Sequence, residues 1–405
     1  MKNVFKKVMA FTVAAALTVG SVCALTGCGK KNKNSEDVIK IGVSGPLTGP
    51  AAKYGVAVKN SAQIAVDEIN AAGGLDGMKF ELLVYDDMHK KDNITTTYAA
   101  MLENGAHVSL GTVTTAPGLE FKELAKEDNL FVLTPSATGD GITEYSNSYQ
   151  MCFSDSSQGV AAAKYFNAEY QGLKVGVFYK ADDEYSVGIY DNFMQTLDSS
   201  FKSSLVSAPF TGDGLDFSSQ VDLLKDCDVV FLPVYTNPAA ALMRKGVGVM
   251  DVDTIYYGCD GLDGVEAEFG SLEAMKAEIP QEVSFLSHFN TNATSGPAAE
   301  FVAKYNAKYD ESKEPVNQFG AAAYDCVYAI FEALKVAKAN GEEFDGNTSA
   351  SEFCEILKKV FNSDSFVFHG ITGKCDGDNK SNISWHSNGL VNKEAVKYVV
   401  KEKND

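Results

Sequence analysis

Short runs rich in β-branched and aromatic residues alternate with longer stretches of helical periodicity along most of this chain, and nothing else in it constrains the fold as strongly. The runs VIKIGVS, KFELLVYDD, HVSLGTV and LFVLTPS come first, then KVGVFYK, DVVFLPVY, TIYYGCD and VSFLSHF. Each has the length and composition of a strand. Between them, residues 54–72 place Val58, Ala62, Ala65, Ile69 and Ala72 on one helical face, and Gly73-Gly74 stops the helix. Further helices are expected over 122–127, 159–170, 186–197, 297–309 and 321–339, the last with Tyr324, Val327, Tyr328, Phe331 and Leu334 as a core stripe. Strand–helix alternation of this kind forms parallel sheets with right-handed crossovers. The alternation restarts near Lys174 without a sequence repeat, so the 405 residues are expected to make two similar α/β lobes.

The N-terminus stands apart. Lys2, Lys6 and Lys7 precede an uncharged apolar stretch over 8–25, short for a membrane span, so residues 1–27 are expected to be a signal peptide. LTGC at 25–28 resembles the lipobox of bacterial lipoproteins, which implies cleavage before Cys28 and acylation of its thiol; an ordinary signal peptide is the alternative. Residues 28–37 are polar and read as a flexible tether. No later apolar run is long enough to span a bilayer, leaving the lipid as the membrane contact. The net charge of −19 argues against nucleic acid and against a basic membrane-binding face. Eight cysteines in a chain this long do not make a disulfide framework, and most are expected to be small buried hydrophobes. Export permits a bridge, with Cys354–Cys375 or Cys326–Cys354 as candidates.

Catalytic constellations are missing from the sequence. The five histidines have no metal-ligand spacing, and no nucleophile elbow, P-loop or dinucleotide fingerprint follows a strand. DGDNKSN, from Asp376, begins like a calcium loop but puts Lys380 where an oxygen ligand belongs. Neither a metal, a cofactor nor an enzymatic activity is expected.

Binding chemistry is present at the strand ends, where open parallel sheets hold their ligands. GTVTTAP (111–117) and TPSATGD (134–140) each follow an apolar run and are dense in hydroxyls. Thr114 and Thr115 stand where a helix begins, with Pro117 in its first turn, so unsatisfied amides beside a hydroxyl would suit one carboxylate. Ser136 and Thr138 bring a second set from the neighbouring strand. The competing reading is that these hydroxyls only cap helices. Asp260, in YYGCDGLDG, is an acid at a strand end of the other lobe and would pair with a ligand ammonium, unless it is only a turn residue before Gly261. Tyr54, Tyr185 and Tyr235 lie in the converging loops, as ligand walls or as ordinary packing.

Taken together and in order, IKIGVSGPLTGPAAKYG, AVDEINAAGGLDGMKFELLVYDD, GTVTTAPGLEFKELAKEDNLFVLTPSAT, DSSQGVAAAKYF, DDEYSVG and GCDG resemble the periplasmic binding proteins for leucine, isoleucine and valine, the solute receptors of branched-chain amino-acid ABC importers. The likeness covers nearly all of residues 38–390. It implies a type I periplasmic binding fold: two Rossmann-like lobes with parallel sheets, joined by three crossings near 152–155, 287–290 and 373–376. Lobe 1 would comprise 38–152 and 288–372, and lobe 2 would comprise 153–287 and 373–401. The lobes would close on an amino acid by a hinge. By position in these motifs, Thr115 would hold the carboxylate, Thr138 and the Ser136 carbonyl would meet the ammonium, and Asp260 would pair with it. Tyr185 and Tyr235 would close over the ligand, and Tyr54 and Val113 would line its side-chain pocket. Partners would be a two-subunit permease with two ATPases, served by a monomer. Three positions depart from the family: Asp260 stands where it has Glu, Pro233 where it often has Gly, and His89 and Thr114 where its first-lobe disulfide would lie. The same scaffold carries other small organic acids, amides and aromatic acids, and a ligand sensor would look alike in sequence.

Overall fold

The computed structural model describes residues 37–310, 313–373 and 380–403. The expected signal peptide, Cys28, nearly all of the tether, Cys375 and the start of DGDNKSN lie outside the described residues.

The expected runs form strands β1 (Val38–Gly45), β2 (Lys79–Asp86), β3 (Val108–Ser109) and β4 (Phe131–Thr134), to which β5 (Ser148–Gln150) is added. They make a parallel sheet in the order β2-β1-β3-β4-β5. Strands β6 (Val175–Lys180), β7 (Val206–Phe210), β8 (Val229–Leu232), β9 (Ile255–Gly258) and β10 (Glu282–Ser287) repeat that order as β7-β6-β8-β9-β10. The lobes are therefore similar in topology without being similar in sequence. Strand β7 is absent from the sequence expectation because Pro209 interrupts it; it tolerates the proline as the sheet's edge. A two-stranded ribbon pairs β11 (Phe368–Gly370) with β12 (Ser381–Ile383), and β13 (Val396–Lys401) runs antiparallel beside β10.

Helices α1 (Ala52–Ala71), α2 (Ile94–Glu103), α3 (Thr115–Glu127), α4 (Asp155–Glu169) and α5 (Glu184–Thr196) supply much of the crossover layers. Helix α1 ends at the glycine pair as expected. Gly74 has φ +77°, and a Cβ there would stand 2.0 Å from the Met78 carbonyl oxygen, so no side chain fits. Helix α1 and the later helices Gln318–Ala339 and Ala350–Phe361 bury their apolar residues against one face of the first sheet, while α2 and α3 cover the other. Helix Ala350–Phe361 was not expected from periodicity, although Ser349 and Glu352 form a capping box at its start. The second sheet likewise has an apolar cluster on each face.

The chain leaves the first sheet after Gln150, enters the second at α4, and returns after Ser287. The third crossing corrects the expected boundary at 373–376. Strand β12 stays paired with β11, and Ile383 and Val391 are buried in the first lobe's core. Trp385 packs on Phe361 at 4.6 Å and donates its indole N–H to the Gln150 carbonyl at 2.8 Å. The chain reaches the second lobe only beyond Val391, where β13 begins. Burying apolar side chains of 383–391 against the first core outweighs the shorter route. Cys152, Cys227, Cys259, Cys326 and Cys354 are buried free thiols, so the Cys326–Cys354 bridge is not formed.

Trp385→Ala should lower the unfolding free energy by about 2–3 kcal/mol, through lost packing on Phe361 and Phe366. Urea denaturation followed by circular dichroism checks this.

Candidate functional site

Strand order reverses direction beside β1 and β3 in the first sheet and beside β6 and β8 in the second, and such switch points are where loops part to leave a crevice. The loops after β1, β3 and β4 meet those after β8 and β9, and the start of α5, around a small cavity. Tyr54, Val113, Ser136, Thr138, Tyr185, Tyr235 and Asp260 line it, together with Thr114, Gly261 and Phe319. Thr115 is the one expected site residue not on the wall. It stands directly behind, with its hydroxyl 3.4 Å from that of Thr138.

The first lobe presents donors. Thr114 is the N-cap of α3, yet its side chain makes no capping bond; the hydroxyl lies 2.8 Å from Nδ1 of His89. The Thr115 hydroxyl accepts from the Gly139 amide at 3.2 Å. The capping alternative for these hydroxyls therefore does not describe them. The first amides of α3 have no carbonyl a turn earlier to receive them, which makes this end attractive to an anion. The Ser136 hydroxyl donates to the Val113 carbonyl at 2.5 Å, leaving the Ser136 carbonyl as its polar group for other partners. Gly45 allows this approach, since a Cβ on it would stand 2.5 Å from Val113 Cγ2.

The second lobe presents an acid. Asp260 is 2 % exposed. Its Oδ1 accepts from the Tyr185 hydroxyl at 2.7 Å, and that hydroxyl accepts from the Gly261 amide at 2.9 Å. The Asp260 amide donates to Gln158 Oε1 at 3.0 Å. Burial pushes the carboxyl up to about 6, against the pull of the Tyr185 hydrogen bond. A second buried acid, Asp155 at the start of α4, is raised well above the usual carboxylate range by burial, and Asp260 adds to the shift. Its Oδ1 has no hydrogen-bond partner. Among the described residues no lysine or arginine forms an ion pair with either acid, and both favour a cation between the lobes.

Aromatic rings close the remaining wall. Tyr185 stacks on Tyr235 at 4.7 Å, and Tyr54 packs against Tyr235 at 5.6 Å and edge-on to Phe319 at 5.3 Å. The Tyr54 hydroxyl crosses between lobes, donating to the Gly261 carbonyl at 2.8 Å and accepting from the Thr236 amide at 3.1 Å. Lys53 pairs with Glu268 beside it, and Lys91 with Glu184. These contacts hold the lobes together, and the cavity has room for about one water, 10 Å³. Sequence reasoning missed Phe319 and His89. Phe319 sits at the start of a helix whose visible signal was its core stripe, and His89 follows β2 rather than the loops examined for hydroxyls. Only its place opposite Thr114 marked it.

Two lobes shut on a cavity with anion-seeking amides on one wall and a buried acid on the other define a solute-binding protein. A sequence profile for the periplasmic binding protein family matches residues 38–381, and the chain belongs to that family. Membership implies an extracytoplasmic place, and no helix among the described residues is long and apolar enough to cross a membrane. The chain is 28 % identical over 364 residues to a Leu/Ile/Val-binding protein of Rhizobium johnstonii, covering 87 % of this chain and 93 % of the relative. It is 27 % identical over 358 residues to a leucine-, isoleucine-, valine-, threonine- and alanine-binding protein of Pseudomonas aeruginosa, covering 86 % and 87 %. Among solved structures it is similar to the branched-chain amino-acid transporter substrate-binding protein of Streptococcus pneumoniae in complex with isoleucine, at 27 % identity and a TM-score of 0.70, covering 89 % of this chain and all of the other.

The raised Asp260 pKa fixes a sign. The folded protein holds that proton more tightly than the unfolded chain, so the associated stability is full below the ordinary value of 3.8 and lost as pH rises through about 6. Asp260→Asn should therefore stabilise the ligand-free protein at pH 7.5 by roughly 2–3 kcal/mol, with the gain shrinking towards pH 4. Melting temperatures of both proteins across this range are the check.

Proposed function

We propose that this chain captures an amino acid, branched-chain first, between its closing lobes and delivers it to an ABC importer without transforming it. Asp260 carries this reading: a carboxylate buried with no ion-pair partner among the described residues, lining the same cavity as Thr114 at the start of α3. A zwitterion answers both walls at once, whereas an acid lacking an amine would leave Asp260 unpaired. The names of the relatives point to leucine, isoleucine and valine. In this reading Thr115 offers its amide and hydroxyl to the carboxylate, and Thr138 joins the groups around the ammonium. The Ser136 carbonyl and Asp260 hold the ammonium, Tyr54 and Val113 border the side chain, and Tyr185 and Tyr235 cover it. Lobe 1 comprises 38–152 and 288–391, and lobe 2 comprises 153–287 and 392–401. The Tyr54 bridge must open to admit the ligand. A lipid on Cys28 would tether the monomer beside its permease.

A thermal-shift screen of the mature chain against the common amino acids, amides and aromatic acids tests the reading. A ligand at ~100 times its Kd stabilises by ~2.7 kcal/mol. Shifts with leucine, isoleucine or valine are expected; a shift confined to ligands without an α-ammonium would overturn it. By calorimetry, Asp260→Ala should weaken amino-acid binding by about 100-fold or more, because it strands a buried ammonium. Thr115→Ala should weaken it by about 10-fold. Unchanged affinity in both variants would refute the site assignment.

A further inference from the structure

His89 has no place in the roles above, yet it touches both walls of the cavity. It follows β2 in a turn where Met88 and His89 take φ +56° and +58°. Its amide donates to Asp87 Oδ1 at 2.9 Å, which holds the turn. Its Nδ1 lies 2.8 Å from the Thr114 hydroxyl, and its ring meets Tyr235 of the other lobe edge-on at 5.4 Å. Thr114 and Tyr235 both line the cavity.

The backbone of Thr114 has the extended conformation of an ordinary N-cap, φ −117° and ψ 152°. A threonine there normally turns its hydroxyl onto the amide two or three residues on. Position 117 is proline and has no amide, so the available donor is that of Ala116. The hydroxyl makes no such bond, and the imidazole is the group that engages it. Resting on the reading of this cavity as an amino-acid site, we propose that His89 is a positioning residue: by holding the Thr114 hydroxyl it keeps that hydroxyl from capping α3, and so leaves the first amides of the helix open to the ligand carboxylate. Contact with Tyr235 ties this arrangement to the closed lobes.

Two variants separate this role from simple support of the fold. Glycine and asparagine both accept the left-handed backbone at position 89. His89→Gly removes the group that holds Thr114, whereas His89→Asn keeps a short polar side chain that can reach it. The full set of common amino acids serves as probe, with affinity read by calorimetry and stability by melting of the ligand-free protein. His89→Gly should weaken amino-acid binding by about 5- to 10-fold, the weight of one helix cap. His89→Asn should stay within about threefold of the wild type. Equal affinities in the two variants, whether both reduced or both unchanged, would overturn the role. So would a loss in His89→Gly that merely tracks a fall in melting temperature. A wild-type chain that binds no amino acid would overturn the receptor reading, and this inference with it.

Discussion

A carboxylate kept from water, with no lysine or arginine paired to it among the described residues, is the constraint on which the rest of this site depends. Asp260 sits at the end of β9, and its neighbours are arranged to make an unneutralised acid tolerable: a tyrosine hydroxyl, and a glutamine held in place by its amide. The tyrosine hydrogen bond softens the effect of burial without removing it. A ligand cation would complete the site. That is why the opposite wall matters, since a helix terminus seeking an anion completes the demand for a molecule with both charges.

Much of this was legible in the sequence because strand ends in parallel sheets are where function concentrates. The apolar runs gave the interior strands directly, and the hydroxyl-rich loops after β3 and β4 stand side by side because those strands are neighbours. What could not be read has physical reasons. Edge strands need less apolar character, so β7 with its proline passed unnoticed. The third crossing depended on Trp385 finding Phe361, a long-range packing choice that no local pattern announces. His89 lay outside the hydroxyl-rich loops, and only the folded chain shows that it brings Thr114 and Tyr235 into one arrangement. Thr115 was placed on the ligand wall by its motif, but the structure puts Thr114 there and Thr115 behind it, a shift of one residue that helix phase decides.

The two lobes also show how little sequence similarity a repeated topology requires. Both sheets adopt the same strand order, yet the first is finished by β5 and a layer of late helices, whereas the second is finished by an antiparallel strand. Pattern, rather than residue identity, carries the symmetry.

The interleaving of the lobes has a consequence for how such a chain comes to be folded. The first sheet has its strands by Gln150, but the helices Gln318–Ala339 and Ala350–Phe361 that shield one of its faces come from the far end of the chain, and the second sheet gains β13 only at Val396–Lys401. Neither lobe can complete itself from a growing polypeptide, and contacts so distant in sequence form slowly. For a protein that works outside the cytoplasm, so slow an assembly would suit export as an unfolded chain.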